Sequence, residues 1–78
     1  MSEVIRVCGM EVSISQSGDV VHEGRKLGRV GREQRLGQWF WRGFDPETGK
    51  PYKRFLTSRP EAIQLLLINA DLVDGIGF

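Results

Sequence analysis

A helical pattern occupies one stretch near the C-terminal end of the chain, and this feature limits the fold more than any other. Ser58-Arg59-Pro60-Glu61 has the form of a capping box, in which a serine hydroxyl accepts a bond from the third helical N–H. Apolar residues follow at helical spacing as far as Ala70, which predicts one capped helix over residues 58–71. One helix can cover one face of a sheet, so the preceding residues have to supply that sheet.

Residues before the helix form short apolar or alternating runs separated by turn-forming residues. The aromatic run Gln38–Phe44 carries the strongest strand signal, and the alternation of Met10–Ser15 is typical of a half-buried strand. Further strands are predicted at residues 20–22, 26–33 and 52–56. The predicted fold is α+β, an antiparallel meander of about four to five strands packed against one C-terminal α-helix.

The 78 residues are expected to form a single small domain. Its predicted parts are an N-terminal β-hairpin (1–24), a basic β-meander (25–57), the capped helix (58–71) and an apolar tail (72–78). A chain of this size buries only about 60% of its unfolded surface, which leaves little room for a deep active-site pocket. We therefore expect no enzyme activity and no catalytic residues.

Cysteine and histidine each occur once, at Cys8 and His22, which is too few for an internal disulfide or a zinc site. No cofactor and no metal are predicted. The longest aliphatic run, Leu65–Ile68, is far shorter than the roughly 20 residues of a membrane-spanning helix. The first residues lack the pattern of a signal peptide, so the expected location is cytoplasmic.

The net charge of +1 conceals an uneven distribution along the chain. Ten basic residues between positions 24 and 59 face three acidic ones, which gives +7, and the remainder carries −6. The ten are Arg25, Lys26, Arg29, Arg32, Arg35, Arg42, Lys50, Lys53, Arg54 and Arg59. This distribution predicts a surface for a polyanion or an acidic protein, unless opposite charges neutralise each other across the folded domain.

The aromatic run alternates between two faces of its strand. Trp39 and Trp41 share one face, and Phe40, Arg42 and Phe44 share the other. If the helix packs on the tryptophans, the opposite face presents an arginine between two phenylalanines, which suits phosphate contact with base or sugar packing. The alternative is that both faces are buried, the second beneath the N-terminal hairpin.

Residues 28–70 resemble the three-stranded-sheet-plus-helix DNA-binding domains of the AP2 type, and similar integrase arm-binding domains. The resemblance rests on Gly28–Arg32, on Gly37–Pro46 and on the helix start Ser58–Ile63. It implies a sheet lying in the DNA major groove, with Arg29 and Arg32 at DNA-contacting positions. Trp39 matches a helix-facing core position of the family. The sequence departs from the family pattern at Phe40 and Arg42, which replace small and acidic residues, and at Leu66, which replaces a tyrosine.

Two functions from different classes follow. The first is a small module for double-stranded DNA, encoded by a phage or mobile element, whose expected DNA-binding residues are Arg29, Arg32, Arg35, Arg42, Lys53 and Arg54. The second is an adaptor or inhibitor that binds another protein, either through its basic sheet or through the tail. The tail residues expected to bind a partner or to form a homodimer, unless they fold back on the core, are Leu72, Val73, Ile76 and Phe78.

Overall fold

The structure is a computed structural model that describes residues 2–75. Its sheet has five antiparallel strands whose spatial order equals their order in the chain, and it curls into a half-barrel on which one helix packs. The elements are β1 (Glu3–Val7), β2 (Met10–Ile14), β3 (Asp19–His22), β4 (Arg25–Arg35), β5 (Gln38–Phe44) and α1 (Arg59–Asn69). The predicted α+β meander with a C-terminal helix is confirmed.

Two strand predictions differ from the structure. β1 was not expected, although it pairs with β2 along its full length. The expected strand at 52–56 is not regular. Residues 51–56, here called the return segment, are joined to β5 by two isolated bridges, Trp41 to Leu56 and Phe44 to Pro51. Between the bridges the return segment advances five residues while β5 advances three, so residues 53–55 leave the ladder after the bond from the N–H of Tyr52 to the carbonyl of Gly43. Pro51, which has no N–H, also weakens pairing there.

The core lies between the sheet and α1. The helix packs most closely on β5 and β4, and its buried side chains form one cluster with the inward-facing side chains of β2, β3 and β4, as the alternation of a half-buried strand predicts. The core residues with the least exposure include Val12, Val20, Ile63, Leu66 and Leu67. A register shift after Val20 forms a bulge in the β3–β4 ladder, and both Leu27 and Gly28 are buried beside it.

Gly28 allows β4 to approach both β5 and the helix. A Cβ atom at this position would lie 2.3 Å from the carbonyl oxygen of Phe44 and 2.9 Å from Leu66 Cδ2. The residue also has a φ of +141°, which side chains rarely tolerate. The absence of a side chain is therefore a condition for the packing of α1 on the sheet.

The helix begins as predicted, at a cap on Ser58. The serine has an extended backbone, and its Oγ accepts a bond from the N–H of Glu61 at 3.4 Å. The carboxylate of Glu61 in turn accepts the hydroxyls of Thr57 at 2.6 Å and Ser58 at 3.0 Å. These bonds hold the pKa of Glu61 below its ordinary value. α1 ends at Asn69, two residues short of the predicted end, and Asp71 has a left-handed φ of 61°.

Candidate nucleic-acid interface

β4 and β5 extend beyond the rest of the sheet as a two-stranded ribbon, which we define as residues 31–42. The last contact of β4 with the preceding hairpin is the bond from the N–H of Val30 to the carbonyl of Gly18. Past this point, β4 pairs in the sheet with β5 alone. Every residue from Arg32 to Trp39 is exposed, so the ribbon projects into solvent.

The ribbon ends in a tight turn at Leu36-Gly37. Both residues have positive φ, 52° and 80°, as the two central residues of a type I′ hairpin turn do. This turn closes the pair Arg35–Gln38 and therefore sets the register of the whole ribbon. Because side chains alternate along each strand, the register also decides which face each side chain occupies.

The predicted DNA-binding arginines of β4 lie on both faces of the ribbon. Arg32 is paired with Trp41 and shares the face on which α1 packs, here called the helix face. Arg29 and Arg35 lie on the opposite face, here called the outer face, together with Phe44. Arg29 and Arg32, which the AP2 resemblance puts at DNA-contacting positions, therefore lie on opposite faces.

Each of these arginines lies over an aromatic ring. On the outer face, the guanidinium of Arg29 is 4.1 Å from the ring centre of Phe44, and that of Arg35 is 5.0 Å from Phe55. On the helix face, Arg32 lies 4.9 Å from Trp39. Rings at these distances attract the cation.

The same arginines form no ion pair with a carboxylate in the part of the chain that the structure describes. The nearest electrostatic influence is on Asp19, which lies opposite Arg29 in the sheet. The pKa of Asp19 is lowered by the Ser17 hydroxyl, by Lys26 at 3.3 Å and more weakly by the charge of Arg29. Arg32 and Arg35 thus carry a positive charge that no ion pair among the described residues neutralises.

Arg42 is the exception among the predicted residues, and its assignment as a DNA contact is corrected. Its side chain is only 10% exposed, and it donates to Glu33 Oε2 at 2.7 Å and to the carbonyl of Tyr52. Phe55 covers it, with the ring centre 4.1 Å from the guanidinium. The outer face is therefore buried at this point by the return segment, not by the N-terminal hairpin.

Phe55 contacts one aromatic ring and two arginines at the base of the ribbon. Its ring meets Phe40 edge to face at 5.6 Å and receives the guanidiniums of Arg35 and Arg42. The Nε of Arg42 is buried without a hydrogen-bond partner. Arg42 of β5 pairs with the half-exposed Glu33 of β4 and donates to the Tyr52 carbonyl. These contacts connect both strands of the ribbon to the return segment.

The two remaining predicted contacts, Lys53 and Arg54, are exposed and precede Phe55 directly. They therefore lie beside the base of the ribbon. Arg54 also acts on the helix start, since its charge contributes to the lowered pKa of Glu61. Five exposed cations of the predicted set therefore lie on the ribbon or beside it: Arg29, Arg32, Arg35, Lys53 and Arg54.

Part of the predicted charge asymmetry is neutralised in the folded domain. Arg59 forms a two-pronged pair with Glu3, at 3.1 and 2.7 Å, and Lys26 pairs with Asp19. Both pairs join the basic middle of the chain to its acidic first third. Arg32 and Arg35 in the ribbon, and Arg29 and Lys53 next to it, are basic residues that form no such pair among the described residues.

A shallow cleft of about 330 Å³ lies on the helix face, beside the base of the ribbon. Its lining includes Arg32, Trp41 and Arg59 together with residues 14–18. It continues the surface of Arg32 and Trp39 toward the helix start. Its polar and aromatic lining extends the candidate interface beyond the ribbon.

The tail predicted to bind a partner behaves differently over its described part. Leu72 and Val73 are half-buried and pack against the core, which is the fold-back alternative. Ile76 and Phe78 lie outside the described residues. The described tail therefore offers little apolar surface for association.

Sequence reasoning did not identify two residues of the ribbon as exposed. Trp39, assigned to a core position by the resemblance, is 56% exposed, and Leu36 is 97% exposed. Trp39 lies on the helix face but beyond the reach of the packed helix. The turn signal at Leu36-Gly37 in the sequence marks the ribbon end, but not how far it projects.

Groups of acidic, histidine and cysteine side chains that could hold a metal do not occur among residues 2–75. Cys8 is exposed in the β1–β2 turn, and Nδ1 of His22 lies 2.8 Å from the carbonyl of Glu11. The same residues contain no helix that is long and apolar enough to cross a membrane.

Comparison of the chain with protein-family models, with curated proteins and with solved structures finds no match. The AP2-type resemblance accordingly stays a prediction, and the function has to be argued from the ribbon.

Proposed function

We propose that this protein binds double-stranded DNA through the ribbon. The observation that carries the proposal is a projecting two-stranded element that carries Arg32 and Arg35, with Arg29 just before it in β4. All three arginines lie over aromatic rings and lack carboxylate partners among residues 2–75. Duplex DNA is the polyanion that such an element suits, because strands of a ribbon enter its grooves in several protein families.

The stacked arrangement matches the chemistry of phosphate and guanine recognition. A guanidinium held near a ring has lost part of its rotational freedom before binding, so less entropy is lost on contact. Its N–H edges can then form paired bonds to phosphate oxygens or to a guanine edge. Arg35 on Phe55 is the clearest case, since Phe55 is itself fixed by Phe40.

The division of arginines between two faces also favours a groove. A sheet that lies flat on DNA uses one face, whereas a ribbon that enters a groove meets a phosphate strand on each side. Arg35 on the outer face and Arg32 on the helix face would each approach one wall. Lys53 and Arg54, at the base of the ribbon, would add backbone contacts.

Fluorescence anisotropy with a labelled random duplex tests this proposal over a range of salt. Neutralised phosphates release counterions, so three to five contacts predict a log–log slope of roughly −3 to −4.5. Arg35→Ala should flatten the slope by about 0.9. The matched control is Arg6→Ala, which removes an exposed arginine from β1 at the other edge of the sheet and should leave the slope nearly unchanged.

Equal effects of the two substitutions would contradict a ribbon-specific interface. Absence of wild-type binding at about 50 mM salt and micromolar protein would contradict DNA binding itself, because the electrostatic contribution is strongest at low salt. In that case an acidic protein surface becomes the better partner for the same arginines.

A further inference from the structure

Leu36 is the residue that the fold explains least. It is 97% exposed at the end of the ribbon, so its side chain contributes almost no packing. Its φ of 52° lies in the left-handed region, where asparagine, aspartate and glycine are favoured and leucine is strained. A leucine at this position lowers the stability of the turn and gains no contact within residues 2–75. The turns at Cys8-Gly9 and Glu23-Gly24 have the same left-handed conformation, so the feature that distinguishes Leu36 is its exposed apolar side chain.

The surroundings of Leu36 identify the kind of surface that it meets. Arg35 precedes it on the outer face, and Arg32 lies on the helix face beside Trp39. An apolar tip between cations on two sides fits a target with anionic walls and an apolar interior. A DNA groove has this character, because two phosphate strands flank the stacked bases.

We propose that Leu36 enters the minor groove as an apolar wedge, unstacks a base step and bends the duplex. This inference rests on the proposed DNA binding and adds its mode. In the minor groove the arginines contact phosphates, because the guanine edge that accepts paired bonds from arginine faces the major groove. Leucine has no hydrogen-bonding group, so it cannot read the donors and acceptors of base edges, but it can pack between bases. Apolar side chains that insert in this manner act from the minor groove and kink DNA toward the major groove. The bend would bring further duplex toward Lys53 and Arg54 at the base of the ribbon.

A duplex of about three helical turns, with a donor and an acceptor dye at its ends, measures the bend by energy transfer. The wild-type protein should raise the transfer efficiency on binding. Leu36→Asn should bind without raising it, because asparagine cannot act as an apolar wedge. Leu36→Phe should retain the increase, since phenylalanine is also a wedge residue.

Leu36→Asn is not expected to destabilise the protein, so a loss of bending in this variant cannot be attributed to unfolding. Asparagine is favoured in the left-handed conformation of Leu36, so the variant should unfold at a temperature equal to or above that of the wild type. The salt slope of Leu36→Asn should equal the wild-type slope, because no phosphate contact is removed. Arg35→Ala should show the converse, a flatter slope with some bending retained.

Several outcomes would overturn the wedge. If Leu36→Asn bends DNA as strongly as the wild type, the wedge is refuted while DNA binding stands. The same holds if the wild type binds without any change in energy transfer. Failure of the wild type to bind DNA refutes both proposals. Binding to anionic lipid vesicles that is lost in Leu36→Asn, with no DNA bending, would assign the tip to a membrane surface instead.

Discussion

The sequence predicts that Arg42 binds a ligand, but in the fold its side chain has a structural role. Its position between Phe40 and Phe44 suggested an exposed cation, yet Phe55 covers it and Glu33 and the Tyr52 carbonyl take its donors. The planar guanidinium fits this place because it stacks on a ring and donates at its edge at the same time. Arg35, on the same Phe55 ring, remains exposed.

Arg42→Ala should lower the free energy of unfolding by about 1–3 kcal/mol, since it leaves the Tyr52 carbonyl without its donor and Phe55 without its underlying contact. The loss stays below that of a fully buried ion pair because Glu33 is half-exposed. Arg35→Ala is the matched control and should change stability by less than about 0.5 kcal/mol. Urea unfolding of both variants measures the difference, and equal losses would contradict the structural role of Arg42.

The ribbon depends on elements that hold its base, since its own outer half makes few contacts with the rest of the protein. β4 is anchored where Gly28 lies against both β5 and α1. The bulge that buries Leu27 and Gly28 side by side sets the direction of the rest of β4. β5 is held from its other side by the bridges to Leu56 and Pro51.

Gly28→Ala should lower the free energy of unfolding by about 3 kcal/mol or more, because the added methyl group meets the Phe44 carbonyl at 2.3 Å and this backbone cannot move freely. Gly37→Ala is the comparison, since Gly37 also has a positive φ but open space around it. Its cost should be about 1–2 kcal/mol, the cost of a side chain in the left-handed region. Thermal and urea unfolding test the order. A Gly37 variant as unstable as the Gly28 variant would show that backbone conformation, not packing, dominates.

At the scale of the whole molecule, ionised carboxylates form stabilising hydrogen bonds, some between distant parts of the chain and some within a single turn. Glu3 in β1 binds Arg59 at the helix start, and this pair lowers the pKa of Glu3. The Asp45 carboxylate accepts the backbone N–H groups of Glu47 and Thr48 at 2.7 and 3.0 Å, which lowers its pKa as well. Asp19 and Glu61 are shifted in the same direction.

These shifts predict a loss of stability in acid. A carboxyl group whose pKa is lower in the folded state stabilises the fold while it is ionised, that is, above its unfolded pKa. The contribution is lost as the pH falls through the folded pKa, so stability should decline below about pH 4.5. Urea midpoints at pH 7 and pH 3 measure the decline. Asp45→Asn should be less stable than the wild type at pH 7, and the difference should shrink at pH 3.

The control for this measurement is Glu47→Gln, two residues further along the same turn. The Glu47 carboxylate forms no hydrogen bond or ion pair among the described residues, so its removal should leave the pH dependence of stability unchanged. A wild-type midpoint that is the same at pH 7 and pH 3 would contradict the stabilising role of the four carboxylates.

Local patterns in the sequence determined most elements. The alternation of Met10–Ile14, the aromatic run of β5 and the cap at Ser58 rest on interactions within a few residues, and each was predicted correctly. The turns at Leu36-Gly37 and at Asp45 depend on φ preferences and nearby N–H groups, which the sequence also displays.

The tertiary structure decided what each element faces. β1 is a strand because it pairs with β2. The return segment separates from β5 between the two bridges, because it advances five residues there while β5 advances three. The fate of the arginines followed from the same long-range geometry: Phe55, 13 positions from Arg42, buries that residue, whereas nothing among residues 2–75 covers Leu36. Burial depends on which segments meet in space, and a pattern with a period of two or 3.6 residues carries no information about the partner on its far side.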